Sequence, residues 1–521
     1  MSLVHFLVLT IVMNFFLFPI ECKKVRIVPT NKGLVRGEIL KTVGWKMEYA
    51  SFKGIPYAKP PLGRRRFKPP EEMDPWNGIL DTLKDPNCCT QWEHDASMKI
   101  VGSEDCLYLN VHTPRVYSRD LDLRPVMVWI HYGAFTFGSI HSNITGPDFL
   151  LEKDVVVVAI SYRLGPFGFL SLNHKDAMGN AGLKDQVLAL KWVQENIINF
   201  GGDPDKVTIF GDSAGGASVE LHILSKASRG LFRASIAMSG SPLNFWGFTT
   251  PQEAEDRAFR LGQLLGYETR NKDDLLEQLY QADAYEMAHQ TNLLAANLLI
   301  MIGNLTIPFQ PTIETVIDPE NNFLTECPLK IYYSRKFNQH PHILGFTKNE
   351  FISLSYSSVV AYLFKLLGKT ITGGLVNILS ELSFIAGIDR TQRLLATFGS
   401  APVYYYRNSF DYEQSLHKIE GSNSLEGTGH ADDNAHIFWF TGKNQPIDYS
   451  SDIGQHRLKM VAMWTNFAKY LNPTPLGEHD PFLDVVWQES GIRGHILDIN
   501  TVSIMENRPT YRALSPANDC H

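Results

Sequence analysis

Cysteine is scarce in this sequence: six residues among 521, at positions 22, 88, 89, 106, 327 and 520. That is too few for a fold stapled by disulfides, although a secreted chain of this kind could close one or two bridges. Basic charge is not in surplus either. Lys and Arg total 48 against 55 Asp and Glu, a formal net charge of −7, so no nucleic-acid partner is expected. The one dense cationic cluster, Arg64-Arg65-Arg66, runs into Phe67-Lys68-Pro69-Pro70-Glu71 and reads as a solvated or ion-paired turn. After residue 22 no run approaches the ~18 apolar residues of a membrane span, so none is expected beyond the leader. Tandem repeats, low-complexity tracts and flexible linkers are missing as well. The polar ending Ser515–His521 argues against a lipid anchor, whose signal requires an apolar tail.

What is present is core-forming material. Hydrophobic residues make up 44% of the chain and charged residues only 20%, the balance of a globular protein with a large interior. Residues 1–22 are apolar until Glu21 and are followed by Lys23 and Lys24. They read as a secretory signal peptide, with an uncleaved anchor as the alternative. Residues 23–521 are then expected to form a single domain, exported to the extracellular space. Two glycosylation sequons, Asn143-Ile144-Thr145 and Asn304-Leu305-Thr306, fit that route.

Short β-rich runs alternate with helix-period segments. Residues 125–132 and 154–162 are continuous apolar runs, the pattern of strands buried on both faces. Leu183, Val187, Leu190, Val193 and Ile197 recur at steps of three and four, which marks a helix stripe. Strands follow at 206–213, 234–241, 342–346 and 401–407, and a long helix spans 456–471 before Asn472-Pro473. Residues from about 250 to 400 are richer in helical patterns and could cap the sheet. The alternation predicts an α/β protein with a central, mostly parallel sheet flanked by helices. Its chemistry should lie beyond the carboxyl ends of the strands.

Gly211-Asp212-Ser213-Ala214-Gly215 stands where a strand gives way to a helix. In that context a G-x-S-x-G motif reads as a nucleophile elbow. A sharp turn strains the Ser and lifts its hydroxyl clear of the sheet, and flanking glycines let other backbone approach closely. The helix N-terminus beneath favours developing negative charge. A serine hydroxyl also needs a base held in place by an acid. Glu350, just past a strand, and His430, in a Gly-rich loop, follow in the required chain order, among 17 histidines and many carboxylates.

The segments 52–70, 103–114, 161–172, 179–204, 210–219 and 427–433 together resemble the type-B carboxylesterase and cholinesterase family of α/β-hydrolases, most closely its insect secreted carboxylesterases. That resemblance implies the α/β-hydrolase fold, a small-molecule ester substrate and no cofactor or metal. It makes Ser213 the nucleophile, His430 the general base and Glu350 the orienting acid. It places oxyanion donors on the backbone N–H groups of Gly133, Ala134 and Ala214, a supporting hydroxyl on Ser239, and an acyl-pocket wall on Trp246. It pairs Arg66 with Glu104 and Arg163 with Asp185. It joins Cys106 to Cys89, with Cys88 as the rival, and shows no companion for Cys327. Cys520 is left as a free thiol or an interchain link, so monomer and homodimer both stay open.

Several positions depart from the family pattern. Asp212 stands where many relatives carry Glu and juvenile-hormone esterases tend to carry Gln. Phe351 replaces a frequent Gly. The stretch Gln91–Cys106 lacks the Trp that cholinesterases place before this Cys, which removes the best platform for a quaternary ammonium. Tyr132, in Trp129-Ile-His-Tyr-Gly-Ala-Phe135, occupies the first of three usually small positions beside the oxyanion hole. If that position needed φ > 0, the side chain would cost about 1–2 kcal/mol; otherwise the ring takes up substrate space or packs into the core. The expected function is a secreted serine carboxylesterase. The alternatives are a stoichiometric trap for toxicants and a non-catalytic adhesion protein of neuroligin type.

Overall fold

The computed structural model describes residues 24–93, 99–115, 122–302, 307–316, 318–356, 369–418, 426–443, 445–477 and 480–509. The leader over 1–22 and the sequon residue Asn304 lie outside the described residues.

Twelve strands define the main path of the sheet: β1 (Val25–Pro29), β2 (Leu34–Lys41), β3 (Glu48–Pro56), β4 (Tyr108–Thr113), β5 (Arg124–Ile130), β6 (Val156–Ile160), β7 (Gly202–Asp212), β8 (Ala234–Met238), β9 (His342–Thr347), β10 (Val403–Asn408), β11 (Ile496–Ile499) and β12 (Ile504–Glu506). Their spatial order is β1-β2-β3-β4-β6-β5-β7-β8-β9-β10-β11-β12. The six pairings from β6 through β5 to β11 are parallel, and the margins are antiparallel.

The central strands are apolar throughout because both faces are covered. In β5, Val126, Val128 and Ile130 join one core cluster with Leu190 and Leu221, while Met127 and Trp129 join the other with Phe210 and Trp464. Successive side chains point to opposite faces of a strand, so one strand feeds both layers.

Helix α1 (Ala181–Asn196) buries Leu183, Val187, Leu190 and Val193, the stripe read from the sequence. Beneath it Arg163 Nη2 meets Asp185 Oδ1 at 2.6 Å, and Arg66 Nε meets Glu104 Oε1 at 2.6 Å. Helix α2 (Ala214–Leu224) follows β7 directly. Helices α3 (Lys369–Ser380) and α4 (Ala386–Phe398) are joined through a π-helical turn, Glu381–Ile385. After α5 (Asn434–Ile437), helix α6 (Asp452–Tyr470) ends on Leu471 at φ 61°, just before Asn472-Pro473. Among the described residues one helix, Ile371–Phe398, is long and apolar enough to cross a membrane. Part of it is core, with Val376, Ile385, Ile388 and Leu395 all buried.

Cys89 and Cys106 form a disulfide, and Cys88 is free. Cys327 is disulfide-bonded, where the sequence showed no companion for it. Spacing along the chain is a poor guide to such a bridge, since it needs proximity only in space.

Candidate active site

Strand β7 ends at Asp212 and α2 begins at Ala214, so Ser213 alone makes the turn, with φ 57° and ψ −120°. A conformation so sparsely populated costs about 1–3 kcal/mol and persists only where its surroundings enforce it. The glycines show how. A Cβ on Gly215 would lie 2.0 Å from the carbonyl oxygen of Ile130, and one on Gly211 would lie 2.6 Å from the Gly215 carbonyl carbon. Strand, elbow and the neighbouring strand β5 are therefore in direct backbone contact. The Ser213 N–H donates to Met238 O at 2.8 Å, which ties the elbow to β8 as well. Ser213 is 9% exposed between two residues, Asp212 and Ala214, that are fully buried.

The loop after β5 starts against the elbow, since a Cβ on Gly215 would also lie 3.0 Å from His131 O. Gly133 has φ 115°, and a Cβ there would fall 1.8 Å from Phe137 O, so only glycine fits. Ala134 and Phe135 follow at φ 52° and 56°. Thr136 N and Phe137 N both donate to Gly133 O, which closes the turn. Among the described residues the backbone N–H groups of Gly133, Ala134 and Ala214 donate to no protein acceptor. Buried N–H groups are nearly always paired; Gly133 and Ala214 are buried and Ala134 half-buried, so these donors are free to take an acceptor from outside the protein. Gln91 braces this loop, donating to Gly138 O at 2.8 Å and accepting from Gly138 N at 2.7 Å. Trp92, next in the chain, packs edge-on against Phe137 with ring centroids 5.5 Å apart. Sequence reasoning did not single out either residue.

Glu350 begins the turn after β9 and is fully buried. Its Oε2 accepts from His430 Nδ1 at 2.6 Å, and its Oε1 accepts from Ser239 Oγ at 2.6 Å and Thr347 N at 2.8 Å. With Nδ1 spent on the carboxylate, the imidazole is left to work through Nε2. His430 N also donates to Glu350 O, and Ser353 Oγ donates to His430 O at 2.8 Å. Burial alone would lower the His430 pKa, but Glu350 overrides it by charge and hydrogen bond. With Asp212 and Asp433 adding to this, the value is pushed up to about 9.

Two further carboxylates sit behind this pair. Asp212 is fully buried and accepts from Asn434 Nδ2 at 3.0 Å. Burial raises it to about 6, with Glu350 adding to the rise and His430 opposing it. Asp433 accepts from Tyr406 Oη at 3.0 Å, and burial beside Asp212 and Glu350 holds its carboxyl well above the usual range.

The ring of Phe384 lies 4.4 Å from the His430 ring and 5.5 Å from Trp246. Phe384 sits in the π-helical turn, which leaves carbonyls without their regular helical donors. Trp246 Nε1 donates to Ser383 O at 2.7 Å and Asn244 Nδ2 to Phe384 O at 2.7 Å. Sequence alone had no signal for Phe384, because a π-turn has no composition of its own. Phe351 is buried and packs with Ile352 and Val376 beneath α3.

Tyr132 is not among the residues with positive φ. Its half-buried side chain packs against the core cluster that contains Trp129 and Phe438. Burial, and then the charge of Asp212, raise the phenol pKa well above its ordinary value. Asn143 is exposed.

A second Ser–His–Glu set lies at the opposite end of the same strands. Ser235 Oγ is 2.7 Å from His342 Nδ1, and His342 Nε2 is 2.8 Å from Glu220 Oε1. Ser235 is fully buried within β8, and its Oγ also bonds His340 Nε2. Three residue types in line do not make a nucleophile without a strained, accessible turn and donors for the oxyanion.

The profile of the carboxylesterase family matches residues 24–362 and 365–510. The chain is similar to a juvenile hormone esterase of Tribolium castaneum, 33% identical over 89% of this chain and 86% of that protein. It is likewise similar to venom carboxylesterase-6 of Apis mellifera, 33% identical over 81% of this chain and 82% of that one. Among solved structures it resembles juvenile hormone esterase from Manduca sexta with OTFP covalently attached. There the TM-score is 0.81 and the identity 30%, covering 94% of this chain and 97% of that one.

Proposed function

Because the chain belongs to the carboxylesterase family and is a carboxylic-ester hydrolase, we propose that it works through an acyl-serine intermediate on Ser213, with His430 as general base and Glu350 as the acid that orients it. Nε2 of His430 takes the proton as Ser213 Oγ attacks the ester carbonyl. The N–H groups of Gly133, Ala134 and Ala214 receive the oxyanion, each donor lowering the barrier by about 3–4 kcal/mol on precedent. His430 then gives the proton to the departing alcohol. Water, deprotonated by the same imidazole, releases the acid and restores Ser213. Every proton moves between substrate, water and these side chains, so the route uses no cofactor.

The observation that carries this reading is the strained Ser213 at a helix N-terminus, together with three backbone donors that no protein acceptor uses among the described residues. Glu350, held by Ser239 and Thr347, supports the base role of His430 by fixing its Nδ1. Trp246 and Phe384 form an apolar wall beside the imidazole, suited to the acyl group. Tyr132 tunes the space beside the oxyanion donors. A juvenile-hormone ester is one candidate substrate, in view of the relatives so named. Asp212, in place of the Gln common in those esterases, favours a different ester.

The leader, exposed Asn143 and the Cys89–Cys106 bridge support a secreted, glycosylated single-domain enzyme. Ser213→Ala should abolish hydrolysis of p-nitrophenyl acetate, and retained activity would overturn the assignment. A burst of one product per site followed by near-silence would replace turnover with stoichiometric capture.

A further inference from the structure

Another histidine–carboxylate couple stands behind the loop that carries His430. Asp432 and His417 are buried, at 0% and 4% exposure. Asp432 Oδ2 accepts from His417 Nδ1 at 2.5 Å and from the backbone N of Gly429 at 2.5 Å. Asp432 Oδ1 accepts from His417 N at 3.1 Å. Asp432 N donates back to Gly429 O, which closes the turn around His430. Gly429 lies so close to the couple that a Cβ there would be 3.1 Å from His417 Nδ1 and 2.5 Å from Ser353 Oγ. The same Ser353 Oγ holds the carbonyl of His430.

From this geometry we propose that His417 and Asp432 are positioning residues for ester hydrolysis, clamping the 429–432 turn so that His430 keeps its place between Glu350 and the nucleophile. The proposal rests on the reading of His430 as the general base. The carboxylate of Asp432 is an acceptor hub whose donors are one imidazole N–H and two backbone N–H groups. Its neighbour Asp433 turns the other way, toward Tyr406. The clamp therefore acts on the backbone of the base, whereas Glu350 acts on its ring. A misplacement of about 1 Å can cost on the order of 10²-fold in rate, so a clamp remote from substrate has a kinetic consequence.

The test compares His417→Leu with His417→Asn, whose amide N–H can stand in for the Nδ1–H. The leucine variant should lose about 10- to 100-fold in kcat with KM changed less than about 3-fold. The acid limb of its kcat/KM profile should move to lower pH, because a looser Glu350–His430 pair raises the base less. The charged groups facing His430 are Glu350 after β9, Asp212 at the end of β7 and Asp433 on its own loop, and none of them is altered. The asparagine variant should recover most of the turnover and the limb. Should the leucine variant not fold, Asp432→Asn takes its place, with the same direction expected in both readouts. A folded variant with wild-type kcat and limb overturns the proposal. A His430→Ala control separates the two claims: an active control sinks the base assignment itself, while an inactive control beside an unaffected clamp variant sinks only the clamp.

Discussion

Gly133→Ala isolates the oxyanion donors from the rest of the site. The new methyl carbon would sit 1.8 Å from Phe137 O and 2.6 Å from Phe137 C, on a backbone at φ 115°. Contacts below about 3 Å are not tolerated, so the backbone must shift by more than an ångström. Thr136 N and Phe137 N both hang on Gly133 O, so the whole turn moves and carries the Ala134 N–H with it. Losing one oxyanion donor costs about 2.7–4 kcal/mol, or 10²–10³ in kcat. With two donors displaced, the fall should lie at or beyond the upper end of that range. KM should stay within about 3-fold, because these bonds strengthen only as the oxyanion forms. The assay is steady-state hydrolysis of p-nitrophenyl acetate, with active sites counted by a stoichiometric fluorophosphonate. Gly54→Ala serves as the control: it has φ 81° but its nearest neighbour would be 3.4 Å away, so it adds backbone strain without a clash. If folded Gly133→Ala kept kcat within about fivefold of wild type, these N–H groups would not be the oxyanion donors.

Since the base must be neutral and His430 is pushed up to about 9, kcat/KM should climb from neutral pH toward that value. Asp212→Asn should move the limb to lower pH, and an unmoved limb would show that Asp212 does not act on the base. The same substitution has a stability signature. Asp212 binds its proton more tightly folded, at about 6, than its ordinary 3.8, so wild type loses stability as pH rises through that window and the Asn variant should lose less; parallel melting curves would count against the shift. Replacing Cys89 and Cys106 together by Ser should cost about 3 kcal/mol in denaturant unfolding. It should also lower kcat through the Gln91–Gly138 brace, a loss Gln91→Ala should reproduce without the full destabilisation. Tyr132→Gly should change the ratio of rates on bulky and short esters; equal changes across the panel would leave Tyr132 as a packing residue.

The parallel core of the fold was legible because its strands are buried on two sides. The apolar run around Val126–Ile130 can be read without knowing which face is which. Ser213 was legible for the same local reason, since the elbow writes its glycines into five consecutive residues. Glu350 and His430 needed the family resemblance, because each is one polar residue in a loop whose meaning depends on the other, 80 positions away. Phe384 and the His417–Asp432 couple were not legible at all. A π-turn has no signature, and a buried histidine–carboxylate hydrogen bond across a loop has no spacing rule. Tyr132 was half-legible: its oddity showed in the sequence, but only the backbone reveals that its φ is ordinary.

The close packing of Gly211, Gly215 and Ile130 welds the elbow that carries Ser213, the proposed nucleophile, to strand β5 at the heart of the sheet. His430, the proposed base, instead sits on a turn outside the sheet, held by a few backbone bonds and by the side chains of Glu350, Ser353 and Asp432. Local opening free energies follow such differences in packing, so the two halves of the site should not melt together. In mild denaturant or gentle heat, catalysis should fade while the far-ultraviolet signal of the sheet is still intact, and it should return on dilution. Loss of activity would then report the release of one turn rather than the death of the protein, giving the enzyme a reversible point of failure below its unfolding transition.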